Sequence, residues 1–154
     1  MWQGLTMVCT GDYKRRHDPT CASFEPVQSD VFVTEATFGL PVFVHPDANG
    51  EIAKLLESLR SNPESDHFVG AYSLGKAQRI IRILRDLGHD DEILLHGSME
   101  TLCNYYQSRG VELGRLAKLI DAGARRKSGG AIIIGPPSAI GTTWVNRMAD
   151  PVFA

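Results

Sequence analysis

Residues 68–80 read Phe-Val-Gly-Ala-Tyr-Ser-Leu-Gly-Lys-Ala-Gln-Arg-Ile. A short apolar run meets a glycine-marked turn. Beyond it Ala77, Ile80, Ile81, Leu84 and Leu87 recur at helical spacing, and Gly88 follows as a stop. This is the strand–turn–helix step of an α/β fold. It also spells G-x-x-x-x-G-K over Gly70–Lys76. A nucleotide-binding P-loop needs a hydroxyl after the lysine to hold Mg²⁺, and Ala77 stands there. It also wants an aspartate closing an apolar strand. The predicted strands at 92–95 and 131–134 run into His96 and Gly135 instead. The plain reading is a tight turn at Gly75 and a solvated first-turn lysine. Even so, the helix start at Ser73–Lys76, with its N–H groups and a lysine, suits a backbone phosphate.

The same pattern extends in both directions. Leu5–Cys9 and Asp30–Thr34 predict strands, with a polar loop over 10–30. Residues 38–46 form a connector with a glycine and two prolines. Ile52, Leu55, Leu56 and Leu59 predict a helix over 49–59, capped by Asn49 or Asp47. Helices are also predicted at 76–87, 99–108, 115–122 and from 142 to 148, with strands at 68–72, 92–95 and 131–134. Strands alternating with helices from Val31 onward imply an α/β layer with a mainly parallel sheet. Such a sheet needs cover on both faces. The chain ends in Pro-Val-Phe-Ala without an evident closing element, so it reads as a piece of something larger.

Composition narrows the function classes. A length of 154 residues suits one domain. The net charge of −2 carries no general basic field for coating nucleic acid, though it leaves room for a local groove. Three widely spaced cysteines, Cys9, Cys21 and Cys103, point to free thiols in a reducing cytoplasm. No apolar run reaches the roughly 20 residues of a membrane span.

Two carboxylates follow predicted strands. Asp12 lies in Thr10-Gly-Asp-Tyr13, and Glu35 in Val33-Thr-Glu-Ala-Thr-Phe-Gly39. The carboxyl ends of strands are where α/β proteins build sites. The plainer alternatives are a turn aspartate and a solvated glutamate. Among the histidines, His17 lies near Asp12 and His96 ends a strand. Basic residues gather at Lys14-Arg15-Arg16, along one helix face at Arg79, Arg82 and Arg85, and again at Arg115, Lys118, Arg125, Arg126 and Lys127.

Taken together, Cys9-Thr-Gly-Asp-Tyr-Lys-Arg-Arg-His-Asp-Pro-Thr-Cys21, Asp30-Val-Phe-Val-Thr-Glu-Ala-Thr-Phe-Gly-Leu-Pro-Val-Phe43 and Gly70-Ala-Tyr-Ser-Leu-Gly-Lys-Ala-Gln78 resemble the metallo-β-lactamase/β-CASP nucleases. Leu95-His-Gly-Ser-Met-Glu100 and Ile134-Gly-Pro-Pro-Ser-Ala-Ile-Gly141 fit the same family. The wording is most similar to the bacterial ligase-associated DNA exonucleases, often described as mRNA 3′-end processing factor-like. The resemblance implies that residues 1–40 end a metallo-β-lactamase-like αββα segment. It implies that 41–154 form most of a β-CASP domain. Asp12 then matches an aspartate that bridges two zinc ions, and Glu35 an acidic residue beside the metal centre. The implied reaction is zinc-dependent phosphodiester hydrolysis on DNA, with RNA possible, in repair beside an ATP-dependent DNA ligase. Lys14, Arg15, Ser73, Lys76 and Ser138 are the candidate nucleic-acid contacts.

The departures are as definite as the match. The family's H-x-H-x-D-H motif is absent from this sequence, whose five histidines stand at 17, 45, 67, 89 and 96. Asp66-His67 is an isolated pair at a strand start. One bridging aspartate does not hold two zincs, which want about four ligands each. The chain by itself is therefore expected neither to keep catalytic zinc nor to cut, and its first piece should expose strand edges and apolar surface. Two other readings stay open. One is a non-catalytic remnant that binds nucleic acid or a partner. The other is a small nucleotide-binding protein using Gly70–Lys76.

Overall fold

A computed structural model describes residues 4–122 and 129–154. The chain divides into two compact units after Pro46, a few residues beyond the division near 40 that the sequence suggested. Each unit is described by itself.

The first unit holds two three-residue strands, β1 (Met7–Cys9) and β2 (Val31–Val33). They pair in parallel, with Met7 opposite Val31 and Cys9 opposite Val33. The 21-residue connection between them is the polar loop expected from the sequence. A parallel pair normally lies inside a sheet covered on both faces. Here each strand has one open edge, and Met7, Phe32, Val33, Phe38, Leu40, Val42 and Val44 are exposed. Among the described residues this unit contributes no buried hydrophobic side chain.

The second unit is a five-stranded parallel sheet in the order β5-β4-β6-β3-β7. Its strands are β3 (His67–Gly70), β4 (Ile93–Leu95), β5 (Leu116–Lys118), β6 (Ile132–Gly135) and β7 (Val152–Phe153). Side chains alternate along each strand and feed two cores. Val69, Ile93, Leu95, Ile132 and Ile134 face one layer. Phe68, Leu94 and Ile133 face the other. The central strands are buried on both sides, which is why they read as unbroken apolar runs.

Three helices cover the first face: α1 (Ala48–Ser61), α2 (Lys76–Asp86) and α3 (Gly97–Ser108). Asp47 caps α1 by accepting from the Gly50 N–H at 2.9 Å, and Ile52, Leu55 and Leu56 turn inward. Helix α2 buries Ala77, Ile81 and Leu84 completely. Its Arg85 donates to the carbonyls of Leu113, His89, Asp91 and Arg115, so one guanidinium holds two loops. Burial pulls the Arg85 pKa below its ordinary value, and nearby Asp90 opposes that.

Three expectations give way. Residues 115–122 are not one helix. Leu116–Lys118 pair with β4 as an edge strand, and only one turn, α4 (Leu119–Ala122), follows. The backbone is captured first, because the Ile93 N–H takes the Arg115 carbonyl that Arg85 also holds. Residues 142–148 do not form a helix either. Short 3-10 turns occupy Pro137–Ala139 and Val145–Arg147. There the Thr142 hydroxyl donates to Ala139 and accepts from the Trp144 N–H, competing with helical bonding. Finally, the Pro-Val-Phe-Ala segment does carry an element, since Val152 and Phe153 pair in parallel with His67 and Phe68.

The amino edge of this sheet is tied by Asp66, which is fully buried. Its carboxylate accepts from the Ala131 N–H at 3.1 Å and the Ala149 N–H at 2.8 Å. Its backbone bonds Ala149 and Val152 as well. His67 beside it meets Ser58 Oγ at 2.9 Å and the Ser65 carbonyl at 3.1 Å. The Asp-His pair thus begins a strand and serves the scaffold. Asp66→Asn turns one acceptor into a donor that faces an N–H. Urea unfolding should show a loss of about 2 kcal/mol, and an unchanged midpoint would contradict the role assigned to the carboxylate.

Candidate functional site

The carboxyl edge of β3, β4 and β6 is where the chain changes direction. From β4 it passes outward to β5, and from β6 it passes over β3 to reach β7, so β4 and β6 are the neighbours whose connections part. Adjacent strands whose connections leave in opposite directions open a crevice at their carboxyl ends. Gly70 and Gly135 are register partners there. Ser73 and Ser138, each three residues further on, therefore leave the sheet from neighbouring strands. Close approach explains Gly135, while a side chain at Gly70 would meet only ordinary contact. A Cβ on Gly135 would lie 2.9 Å from the Phe68 ring and 3.1 Å from the His96 Cβ, and one on Gly70 would lie 3.6 Å from Pro137.

The loop after β3 is fastened from within. Gln78 is fully buried. Its Oε1 accepts from the Gly75 N–H at 2.8 Å, and its Nε2 donates to the Ser73 carbonyl at 2.9 Å and to Cys103 Sγ at 3.3 Å. The Lys76 N–H donates to Leu74 and the Ala77 N–H to Tyr72. The N–H groups of residues 75–77 are thus spent inside the loop. Of the backbone donors expected at Ser73–Lys76, those of Gly75 and Lys76 are thus taken, while those of Ser73 and Leu74 make no hydrogen bond among the described residues. Gly75 accepts the fold's demand for φ of +78° at this turn. What remains for a ligand is mainly side chains. Tyr72 and Leu74 are 68% and 66% exposed, and Lys76 Nζ stands 5.3 Å from the Tyr72 ring centre.

His96 leaves β4 level with these loops, its N–H bonded to the Ile134 carbonyl at 2.8 Å. It is the N-cap of α3. Its Nδ1 accepts from the Ser98 N–H at 3.2 Å, with Ser98 Oγ 2.8 Å away. Trp144 packs edge-on against the imidazole, ring centres 4.7 Å apart, and also meets Phe68 at 6.0 Å. Burial lowers the His96 pKa below the usual histidine value.

In the first unit, parallel pairing places Asp12 and Glu35 beyond the same ends of adjacent strands. The Thr10 and Thr34 hydroxyls meet there at 3.2 Å. Both carboxylates are exposed. Hydrogen bonds from the Thr37 hydroxyl and N–H hold the Glu35 carboxyl below the ordinary range. Lys14 pairs with Asp18 at 3.7 Å, Arg15 is exposed, and Arg16 donates to the His45 and Pro46 carbonyls. Among the described residues no three His, Cys, Asp or Glu side chains are grouped so as to hold a metal. The donors among the described residues do not fit a two-zinc centre.

The basic runs divide sharply. Arg82 is bonded to Asp86 and Glu112 and Arg85 to carbonyls, so both serve structure. Lys118 pairs with Glu100 at 3.3 Å. Arg125, Arg126 and Lys127 lie outside the described residues. Two participants at the sheet edge, Gln78 and Trp144, escaped sequence reasoning. Gln78 looks like any helical polar residue, and Trp144 sits in a stretch whose turn chemistry was read as helix. No helix among the described residues is long and apolar enough to cross a membrane.

Comparison with protein-family models, with curated proteins and with solved structures returns no match.

His89 also has a lowered pKa, from burial first and the neighbouring Arg85 second. With His96 it favours the neutral imidazole in the folded chain. As pH falls, the unfolded chain takes up these protons first, near 6.5. Stability is therefore complete above that value and declines as pH falls toward the lowered folded-state pKa values. Urea unfolding from about pH 7.5 to 5 should show that decline, and the double variant His89→Gln/His96→Asn should flatten it. An equal slope in both proteins would rule out this linkage.

Proposed function

We propose that this chain is a segment of a zinc-dependent phosphodiesterase of the metallo-β-lactamase/β-CASP kind, whose second unit grips a single nucleic-acid strand by its phosphates. The observation that carries the reading is the Gly70–Gly135 register, which sends Ser73, Lys76 and Ser138 out from neighbouring strands at the sheet's carboxyl edge. Two hydroxyls and one ammonium suit non-bridging phosphate oxygens. Exposed Tyr72 adds a face on which a base can stack. DNA is the proposed substrate, on the resemblance to ligase-associated exonucleases, and the ATP-dependent ligase partner rests on that resemblance alone.

Asp12, Glu35, Lys14 and Arg15 are proposed to contribute from the first unit, with Asp12 toward zinc. Glu35, ionised by its Thr37 bonds, is suited to orienting a cationic or N–H donor neighbour. The metal-binding histidines of such enzymes have no counterpart in this sequence. The chain's own share of the work is accordingly strand binding, and it is not expected to cut by itself. A nucleotide-binding reading is less favoured, because the N–H groups at 75–77 are bonded within the loop and Ala77 stands where a hydroxyl is wanted.

Fluorescence anisotropy with a labelled single-stranded DNA oligonucleotide, with EDTA present, tests this. Affinity should fall steeply between about 50 and 200 mM salt. Lys76→Ala should weaken binding several-fold and reduce the logarithmic salt slope by roughly 1. Absence of binding, or binding indifferent to Lys76, would contradict the proposal.

A further inference from the structure

We propose that His96 is a ligand-holding residue of this edge, offering a tautomer-fixed Nε2–H donor to a phosphate oxygen of the bound strand. The argument begins with the cap. A backbone N–H can only donate, so the Ser98 N–H bonded to Nδ1 requires a lone pair on that nitrogen. Ser98 Oγ, 2.8 Å from the same atom, then donates its hydroxyl proton to it. In a neutral imidazole the remaining proton must sit on Nε2.

That Nε2–H has no hydrogen-bond partner among the described residues, and it is not among their buried unsatisfied atoms, so it reaches solvent. The ring is not free to turn away. Trp144 flanks it at 4.7 Å, and its Cβ would crowd even a methyl group on Gly135. The bond from Ile134 holds the backbone level with Gly135. A fixed donor therefore stands one strand from the loop that carries Ser138 and two strands from the loop that carries Ser73 and Lys76.

The same tautomer has a second consequence. With a proton on Nε2 and the Nδ1 lone pair occupied, the ring has no lone pair to offer. In this arrangement His96 neither ligates a metal nor accepts a proton. It is a hydrogen-bond donor that stays uncharged, which distinguishes its part from that of Lys76.

This inference rests on the strand-binding reading, and the experiment separates the two. Two-bond ¹H–¹⁵N correlation spectra of the full chain at neutral pH should report the Nε2–H tautomer for His96. An Nδ1–H tautomer would overturn the inference whatever the strand does. His96→Asn keeps a good N-cap while removing the ring Nε2–H and leaving only a shorter amide donor that does not reach its position. It should weaken binding of a single-stranded oligonucleotide roughly tenfold, with the salt slope of the wild type. Wild-type binding with equal affinity in His96→Asn would overturn the part given to His96 and leave the strand-binding reading standing. No binding by the wild type would overturn both.

Discussion

The parallel pairing of β3 with β6 is the constraint on which the second unit depends. These two strands are buried on both faces, so every side chain on them must be apolar or internally bonded. Phe68 and Ile133 serve one core, and Val69, Ile132 and Ile134 the other. A slip of one residue would exchange the two cores and expose neither. It would also separate Gly70 from Gly135, whose missing side chain leaves room for the Phe68 ring and the His96 Cβ at the carboxyl edge. At the opposite edge, Asp66 fixes where β6 and β7 begin. The register that builds the core thus also sets the spacing of the side chains proposed to hold a strand.

The two units stand in contrast. The second has helices α1, α2 and α3 on one face and the α4 and Trp144 region on the other. The first has one short parallel pair and no described buried hydrophobic residue. Backbone bonds, the Thr10–Thr34 contact and ring pairs such as Tyr13–Phe24 and Phe38–Phe43 hold it in place of a buried core. Asp12 and Glu35 lie on this unit, and both are exposed. Whatever chemistry they serve depends on surface that this unit leaves uncovered.

Much of the second unit was legible from residue spacing. The apolar positions of α1 and α2 announced both helices, and the unbroken runs at 68–72, 92–95 and 131–134 announced buried strands. Three features were not legible. The pairing of 116–118 with β4 is a long-range choice made by Arg85 and the Ile93 N–H, which no local pattern encodes. The turns over 137–148 follow from threonine hydroxyls competing for backbone groups. The inward use of the 75–77 N–H groups depends on one buried glutamine. At the site, Gly75 marked the tight turn, and His96 was marked by its place after a strand. Its tautomer required the capping geometry, and the neighbouring Trp144 required the fold.

The proposed strand-binding edge would work mainly through side chains. Ser73, Lys76, Ser138 and the His96 imidazole supply hydroxyl, ammonium and N–H donors, and Tyr72 an exposed ring. Such a set is suited to a chain of phosphates and bases more than to a single triphosphate. The most direct test is amide NMR of the ¹⁵N-labelled chain during titration with single-stranded DNA. The account predicts that shifts concentrate at residues 72–76, 96–98 and 136–138, with the amino edge around Asp66 unmoved. Shifts centred elsewhere on the sheet, or none at all, would contradict it.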